Sequence, residues 1–291
     1  MTQSPEPAFD AILPPEMAAK AEAIGVRKAR LGLLPMAVLA ALAGAFISLG
    51  AVFMTTVTAG AGATLPYGVV RLLGGLAFSL GLILVLVGGA ELFTGNTLLV
   101  MAWANRKVTT AELLRSWCVV YLGNFAGALA TAVLVFAGRQ FTFGGGAVGA
   151  TALAIAQAKL EIAFLPAIAL GVLGNGLVCL AVWLGFSART TTDRILAIVP
   201  PIAAFVAAGF EHSVANMYLV PFALLIKAGA PDAFWEAIGR TAQDYPLLTW
   251  GGFLVRNLLP VTIGNVLGGT VLVGAVYWLV YLAPRRAATP R

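Results

Sequence analysis

The fold of this chain is decided by two short interruptions of apolar sequence, Gly89-Ala90-Glu91-Leu92-Phe93-Thr94-Gly95-Asn96 and Gly209-Phe210-Glu211-His212-Ser213-Val214-Ala215-Asn216. Each interruption contains a glutamate that is followed five residues later by an asparagine, and the two lie 120 residues apart. Irregular polar backbone is costly in lipid and is tolerated only where it is buried in protein or lines a wet cavity. The pair therefore indicates a pathway through a membrane-spanning protein.

The composition around these interruptions is that of a protein dissolved in lipid. Of 291 residues, 60% are hydrophobic and only 10% are charged, and the mean hydropathy is +0.94. A soluble domain usually carries about 25% charged residues. The 33 glycines fit the same interpretation, because small residues let membrane helices approach one another closely. The basic residues are scattered singly, which argues against a nucleic-acid partner despite the net charge of +6.

Six stretches are long enough to cross a bilayer, since a span needs roughly 20 apolar residues. They cover about 33–57, 70 to beyond 90, 113–137, 161–186, 195–227 and 252–282. The sequence thus predicts an N-terminal segment (1–30), a six-span membrane domain (31–283) and a short tail (284–291). Within 10–30 we expect an amphipathic helix, which could lie on the membrane, cap an opening of the pathway or be a solvated tail helix.

The six spans form two copies of one plan. The third and sixth spans share a pattern in which Gly-Asn is followed by a further glycine, at Gly123-Asn124 with Gly127 and at Gly264-Asn265 with Gly268. Three spans per copy is an odd number, so the second copy must be inverted in the membrane. Many channels and transporters are built this way, with sites at broken helices near the midplane. The predicted fold is therefore all-α, with two inverted three-helix repeats and with helices 2 and 5 broken.

The distribution of lysine and arginine predicts the orientation. Twelve of the 18 basic residues fall in the N-terminal segment, the second and fourth inter-span connections and the C-terminal tail. Basic residues concentrate on the cytoplasmic side of membrane proteins, so both termini should be cytoplasmic. Residues 1–30 contain no apolar core of a signal peptide before position 31.

The interruptions contain ionisable residues, which are expensive at membrane depth and usually functional. For Glu91 and Glu211 we favour a structural role, in which each carboxylate accepts hydrogen bonds from backbone amides freed by the helix break. Asn96 and Asn216 belong to the same structural set.

Four further polar residues are candidates for the substrate path. His212 is the only histidine, and it titrates near physiological pH; a core histidine is the simpler alternative. Thr94 occupies the equivalent interruption and could face the imidazole. Lys159, near the start of the predicted fourth span, is either an interfacial lysine or a cation that draws anions into a vestibule. Asn175 sits among apolar residues within that span and needs a partner or water.

Apolar residues near the interruptions could form constrictions that exclude hydrated ions, although most such residues simply fill a core. The candidates are Phe78, Leu82, Leu92, Phe93 and Phe205. No cofactor or metal site is expected, because a lone histidine and two cysteines on other spans do not make a ligand cluster. An enzyme is disfavoured, since Ser213 directly follows His212 and adjacent residues do not readily make a nucleophile–base pair. A water or glycerol channel would need paired Asn-Pro-Ala breaks, which are absent.

Four motifs carry a specific resemblance. They are the segments 89–96, 210–217, Val178-Cys179-Leu180-Ala181-Val182-Trp183 and 257–265. With them the sequence resembles the formate/nitrite transporter family, and within it the bacterial formate channels, over nearly the whole chain. Gly95-Asn96 departs from the Ser-Thr of formate channels and leaves a nitrite or hydrosulfide channel open as the alternative. The N-terminal segment and Phe234-Trp235 with Ala237-Ile238-Gly239 favour formate.

The resemblance implies an aquaporin-like homopentamer in the bacterial inner membrane, with one pore in each protomer. It implies that Leu92, Phe93 and Thr94 lie in a gating loop and that His212 is the central pore histidine, with Thr94 and Asn175 as polar neighbours. Lys159 would be the vestibule lysine. Desolvation disfavours a charged form, so an anion stripped of water could cross as the neutral acid after taking a proton from His212 or from solvent. Passive anion passage, with His212 only a hydrogen-bond donor, is the opposing hypothesis.

Overall fold

The computed structural model describes residues 10–283, and every regular element in that range is helical. The remaining parts of the predicted terminal segments, 1–9 and 284–291, lie outside the described residues. The helices, in chain order, are α1 Pro14–Ala29, α2 Leu33–Thr58, α3 Tyr67–Gly88, α4 Phe93–Asn96, α5 Val100–Ala104, α6 Thr110–Ala137, α7 Ala147–Glu161, α8 Phe164–Ser187, α9 Thr191–Ala207, α10 Ser213–Gly229, α11 Asp232–Ile238 and α12 Gly252–Tyr281.

Five of these helices, α2, α3, α6, α8 and α12, are long and apolar enough to cross a membrane alone. A sixth crossing results if α10 and α11, which meet at 113°, count as one bent span. The predicted fifth span is split into α9 and α10, each of 17 residues, on either side of the second interruption. The prediction of an all-helical membrane fold with the second and fifth spans broken is confirmed.

The two breaks have the same backbone geometry. Gly89 (φ +82°) follows α3 and Gly209 (φ +78°) follows α9, so at both breaks the backbone turns through the left-handed region that glycine tolerates best. Extended residues follow each glycine before the next helix begins at Phe93 or Ser213. Equal turns at equivalent positions support the repeat read from the sequence.

Close helix packing also repeats between the halves. A Cβ at Gly127 would overlap the carbonyl oxygen of Ala41, where α6 crosses α2. A Cβ at Gly268 would overlap the carbonyl oxygen of Val172, where α12 crosses α8. The glycines that follow the paired asparagines therefore let backbone touch backbone, the usual way of joining helices in a membrane.

One element was not predicted. Residues 147–161 form α7, and Lys159 lies in its last turn rather than at the start of the fourth span, which begins only at Phe164. Alanine-rich sequence has a high helix propensity, but 15 residues are too few for a span, and no polar face marks the segment as a helix. The expectation that Lys159 opens the fourth span was therefore wrong.

Helix α1 packs against the segment that follows the first break. Its Glu22 accepts hydrogen bonds from Lys107 Nζ (2.5 Å) and Asn105 Nδ2 (2.6 Å), in the connection after α5. Its Met17, Ala18 and Ala21 pack with Met101 and Trp183. The helix thus contacts the membrane domain through an ion pair and an apolar face.

Candidate functional site

The first break is organised by Asn124 of α6. Its Oδ1 accepts the backbone N–H of Phe93 (2.9 Å), while its Nδ2 donates to the carbonyls of Glu91 (2.9 Å) and Ala40 (2.7 Å). The backbone N–H of Glu91 reaches the Leu39 carbonyl at 3.2 Å. These contacts satisfy backbone groups that the interrupted helix leaves without partners.

The second break repeats this arrangement with Asn265 of α12. Its Oδ1 accepts the backbone N–H of Ser213 (2.8 Å), and its Nδ2 donates to the carbonyls of Glu211 (3.0 Å) and Gly171 (2.8 Å). The backbone N–H of Glu211 reaches the Leu170 carbonyl at 3.2 Å. Atom for atom, Asn124 and Asn265 perform the same task in the two halves.

Because the asparagines take the freed amides, the two glutamates have other partners. Glu91 Oε2 accepts from Asn96 Nδ2 (2.8 Å) and pairs with Lys28 Nζ (3.2 Å), which lies on α1. No described backbone amide donates to the Glu91 carboxylate. The prediction that this carboxylate accepts hydrogen bonds from freed backbone amides was wrong, because its partners are the Asn96 amide and the Lys28 ammonium group. A charged lysine stabilises a buried carboxylate better than a neutral amide does.

Glu211 has the equivalent set of contacts, and the same correction applies to it. Its Oε1 pairs with Lys159 Nζ (2.6 Å), and its Oε2 accepts from Asn216 Nδ2 (2.7 Å) and Asn257 Nδ2 (3.2 Å). The side chains of Lys159 and Glu211 are 16% and 3% exposed. A buried ion pair with additional hydrogen bonds offsets part of the desolvation that each charge suffers.

His212 and Thr94, one from each break, meet at the centre. Thr94 Oγ1 lies 2.8 Å from His212 Nε2, and both residues are buried. His212 Nδ1 accepts the backbone N–H of Ala215 (3.1 Å), so the imidazole also caps the N-terminus of α10. An acceptor nitrogen carries no hydrogen, and the neutral ring therefore holds its hydrogen on Nε2 and donates it toward Thr94.

Asn175 lies beside this pair, and its side-chain hydrogen bonds go to groups other than the imidazole. Its Nδ2 donates to the carbonyl of Asn265 (2.6 Å), to Thr97 Oγ1 (3.2 Å) and to the carbonyl of Thr94 (3.3 Å). Cys179 Sγ approaches the same Thr94 carbonyl at 3.4 Å. Asn175 thus connects the first break to α12 and fixes the position of Thr94.

Two cavities approach the central pair from opposite directions. The distal vestibule, about 470 Å³, is lined by Lys159, His212, Phe78, Phe205 and Arg71, among others. The α1 vestibule, about 440 Å³, lies between α1 and the first break and is lined by Glu91 and Leu92. The distal vestibule reaches His212 itself, whereas the α1 vestibule ends at Leu92 and Gly95, on either side of Thr94 in the sequence.

The α1 vestibule is strongly basic. Its lining includes Lys20, Arg27, Lys28 and Arg194, against the single carboxylate of Glu91. Burial, followed by the charges of Arg194 and then of the nearby Arg189, lowers the pKa of Lys20. A basic cavity of this kind attracts anions.

The residues predicted to form apolar constrictions lie in different parts of the protomer. Phe78 and Phe205 meet edge to face with centroids 6.0 Å apart, and Phe205 lies 5.9 Å from the His212 ring. Leu92 lines the α1 vestibule, whereas Leu82 is buried one turn beyond Phe78 in α3 and lines neither vestibule.

Phe93 is directed away from both vestibules. Its ring packs on Tyr121 (4.8 Å) and Trp117 (6.3 Å), and it lines a shallow groove between α6 and α12. The structure therefore does not bring Phe93 to the constriction with Phe78 and Phe205.

Sequence reasoning missed several polar partners of the breaks. The charge pattern of the sequence marks Lys28 only as a topology signal, and the motif analysis contains Asn257 only as a motif position. The paired Gly-Asn pattern did single out Asn124 and Asn265, but as packing positions, not as ligands of freed amides. Their signal was available, because buried asparagines need partners and a broken helix supplies them. No cluster of residues suited to a metal ion occurs between residues 10 and 283.

Comparisons with known proteins agree with this geometry. A sequence profile of the formate/nitrite transporter family matches residues 15–279. The chain is 44% identical to the formate channel FocA of Escherichia coli over 274 residues, covering 94% of this chain and 96% of that protein.

Two solved structures share the fold. A pentameric formate channel with formate bound is 48% identical, with a TM-score of 0.80, and the match covers 86% of this chain and 98% of that one. An ion channel of the same family is 31% identical, with a TM-score of 0.75, over 91% of this chain and 98% of that one. The similar proteins are channels rather than enzymes.

Proposed function

This chain belongs to the formate/nitrite transporter family, and from that membership we propose that it conducts formate and related small monovalent anions across a bacterial inner membrane. One observation carries the proposal: a buried Thr94–His212 pair separates two basic vestibules within one protomer. We propose a homopentamer, by analogy with the similar pentameric formate channel. The α1 vestibule would face the cytoplasm together with both termini, in line with the bias of basic residues.

The proposed path has a charge pattern suited to anions. An anion entering either vestibule meets cationic side chains, with Lys28 or Lys159 paired to a glutamate at the break. Each lysine–glutamate pair carries no net charge, so the carboxylates of Glu91 and Glu211 repel the anion little. In this role the lysines shape the potential of the path as well as stabilise the breaks.

The step past Phe78 and Phe205 is costly for a bare anion, because desolvation of an unpaired charge is expensive. A neutral acid crosses more cheaply. We propose that formate takes a proton as it leaves water and crosses as formic acid, hydrogen-bonded by His212 and Thr94. This makes transport proton-coupled.

The geometry of His212 bears on the source of that proton. A neutral imidazole that accepts from Ala215 has only its Nε2 hydrogen to give, and giving it would leave an imidazolate. Protonated His212 would instead lose the Ala215 bond, since Nδ1 would become a donor. A hydronium ion from the vestibule water is therefore the favoured source, with His212 as the hydrogen-bond donor that receives the substrate.

Flux of formate, nitrite and hydrosulfide into proteoliposomes, each measured separately with and without an inward proton gradient, tests the function. We expect formate entry that grows with the gradient. Preferential entry of nitrite or hydrosulfide would leave the channel proposal standing and replace formate as the preferred substrate. Absence of flux for all three anions would contradict the channel proposal.

Two variants of the histidine test its role. His212→Asn keeps a side-chain acceptor for Ala215, as asparagine is a good helix cap, but withdraws the donor from Thr94. His212→Gln places an amide donor near the position of Nε2 and loses the cap. We expect the glutamine variant to retain more flux and both variants to keep the pH dependence. Loss of pH dependence in both would identify His212 as the proton source.

A further inference from the structure

The charge of Lys159 is not available to an incoming anion as a free cation. Its Nζ lies 2.6 Å from Glu211 Oε1, so the pair contributes almost no net charge to the distal vestibule. A second cation, Arg71, lines the same cavity. None of the four ion pairs found between residues 10 and 283 involves Arg71.

The hydrogen bonds that Arg71 makes to described residues all go to backbone carbonyls. Its Nε donates to the carbonyl of Ala207 (3.3 Å), and its Nη2 donates to the carbonyl of Val206. Both carbonyls belong to the last turn of α9, and that of Val206 also accepts the backbone N–H of Gly209 (3.1 Å). The guanidinium also lies against Gly209, and its carbon is 6.0 Å from the centre of the Tyr67 ring. Neutral carbonyls fix the group without cancelling its charge.

This anchoring uses one edge of the guanidinium and leaves another. The Nε and one N–H of Nη2 point to the carbonyls, whereas the edge formed by Nη1 and Nη2 has no partner among the described residues. A guanidinium edge matches the two oxygens of a carboxylate and binds them through parallel hydrogen bonds. Arg71 is therefore already oriented for a carboxylate, at little entropic cost.

We propose that Arg71 is the anion-binding residue of the distal vestibule and that it receives a small carboxylate on its free edge before the substrate reaches Phe205 and His212. The inference rests on the proposed anion transport and names a residue of its entry site. The predicted outer side of this chain carries few basic residues, so few other cations are available there to attract an anion. The alternative is that Arg71 serves only to cap the end of α9.

Concentration dependence of formate flux separates these roles. Arg71→Gln removes the charge and keeps an amide that can donate to one carbonyl. We expect the half-saturating formate concentration to rise about five-fold, which corresponds to ~1 kcal/mol, the interaction of two unit charges about 4 Å apart in water. The maximal flux should stay near that of the wild type. Arg71→Lys, which keeps the charge without the fork, should fall between the two.

The control is Arg240→Gln, which removes the same charge from an exposed site outside the vestibule. It should leave the half-saturating concentration unchanged. Salt of about 1 M shortens the Debye length to about 3 Å and should shrink the difference between Arg71→Gln and wild type. If Arg71→Gln instead lowers thermal stability and maximal flux with an unchanged half-saturating concentration, Arg71 is a helix cap only and the proposal fails.

A binding measurement without transport separates this inference from the proposed function. Purified wild-type protein is treated with the arginine reagent 2,3-butanedione, and modification of Arg71 and Arg240 is followed by peptide mass spectrometry. Formate should protect Arg71 but not Arg240, and the uncharged formamide should protect neither. Protection without any wild-type flux would keep the site and reject the channel. Equal modification with and without formate would overturn the Arg71 site even if flux is present.

Discussion

Replacing Asn265 with alanine should destabilise the protein strongly, because one side chain satisfies two buried backbone groups of the second break. The alanine would leave the N–H of Ser213 and the carbonyl of Glu211 without this partner, whereas the carbonyl of Gly171, inside α8, keeps its helical hydrogen bond. Each residue involved is buried or tightly packed, and Asn265 itself is fully buried. The break would then lose the contact that fixes His212, the residue preceding Ser213.

The size of the effect follows from the number of groups left unpaired. An unsatisfied buried polar group costs about 1–3 kcal/mol. For two such groups we expect a loss of about 2–4 kcal/mol in the free energy of unfolding, below the largest possible sum because water can enter part of the space left. A loss of this size lies at the upper end of the usual range for single substitutions.

Unfolding in mixed detergent micelles, titrated with a denaturing detergent, measures this free energy. Gln140→Ala is a suitable control, since it removes an exposed hydrogen bond to Thr56 and should change stability by less than about 0.5 kcal/mol. Formate flux per folded protomer, measured in parallel, should also fall in Asn265→Ala. A stability within about 1 kcal/mol of wild type would refute the assignment of Asn265 as the ligand of the freed backbone groups.

Two further predictions concern packing and the N-terminal helix. Gly127→Ala should prevent the close crossing of α2 and α6, since the added carbon would overlap a backbone carbonyl that cannot move aside, and should lower the thermal midpoint in detergent by several degrees. The control Gly68→Ala, with open space around it, should leave the midpoint unchanged or slightly raised. Equal midpoints for the two variants would contradict the packing argument. Glu22→Gln should weaken the docking of α1 by removing the ion pair with Lys107. Amide hydrogen exchange in residues 14–29 should then be faster than in the wild type. Unchanged exchange would mean that the apolar face alone holds the helix.

The sequence alone predicted the all-helical membrane fold and its two breaks, but not the short helix α7. A 60% apolar composition leaves only lipid as the solvent, and the length of the apolar stretches indicates which segments cross the membrane. The paired Glu-to-Asn spacing and the paired Gly-Asn positions predicted the repeat, because a repeated plan must place the same residue types at equivalent points. The odd number of spans per copy then requires inversion.

The partners of each polar group were decided by the tertiary structure. Periodicity places a residue on a face of its own helix, but it does not say which residue of another helix comes opposite. Thus Lys28, on a helix that could have been a solvated tail, pairs with Glu91, and Phe93 turns toward α6 instead of the path. Contacts between elements far apart in sequence depend on how the whole set of helices packs, and that is fixed only when all of them are in place.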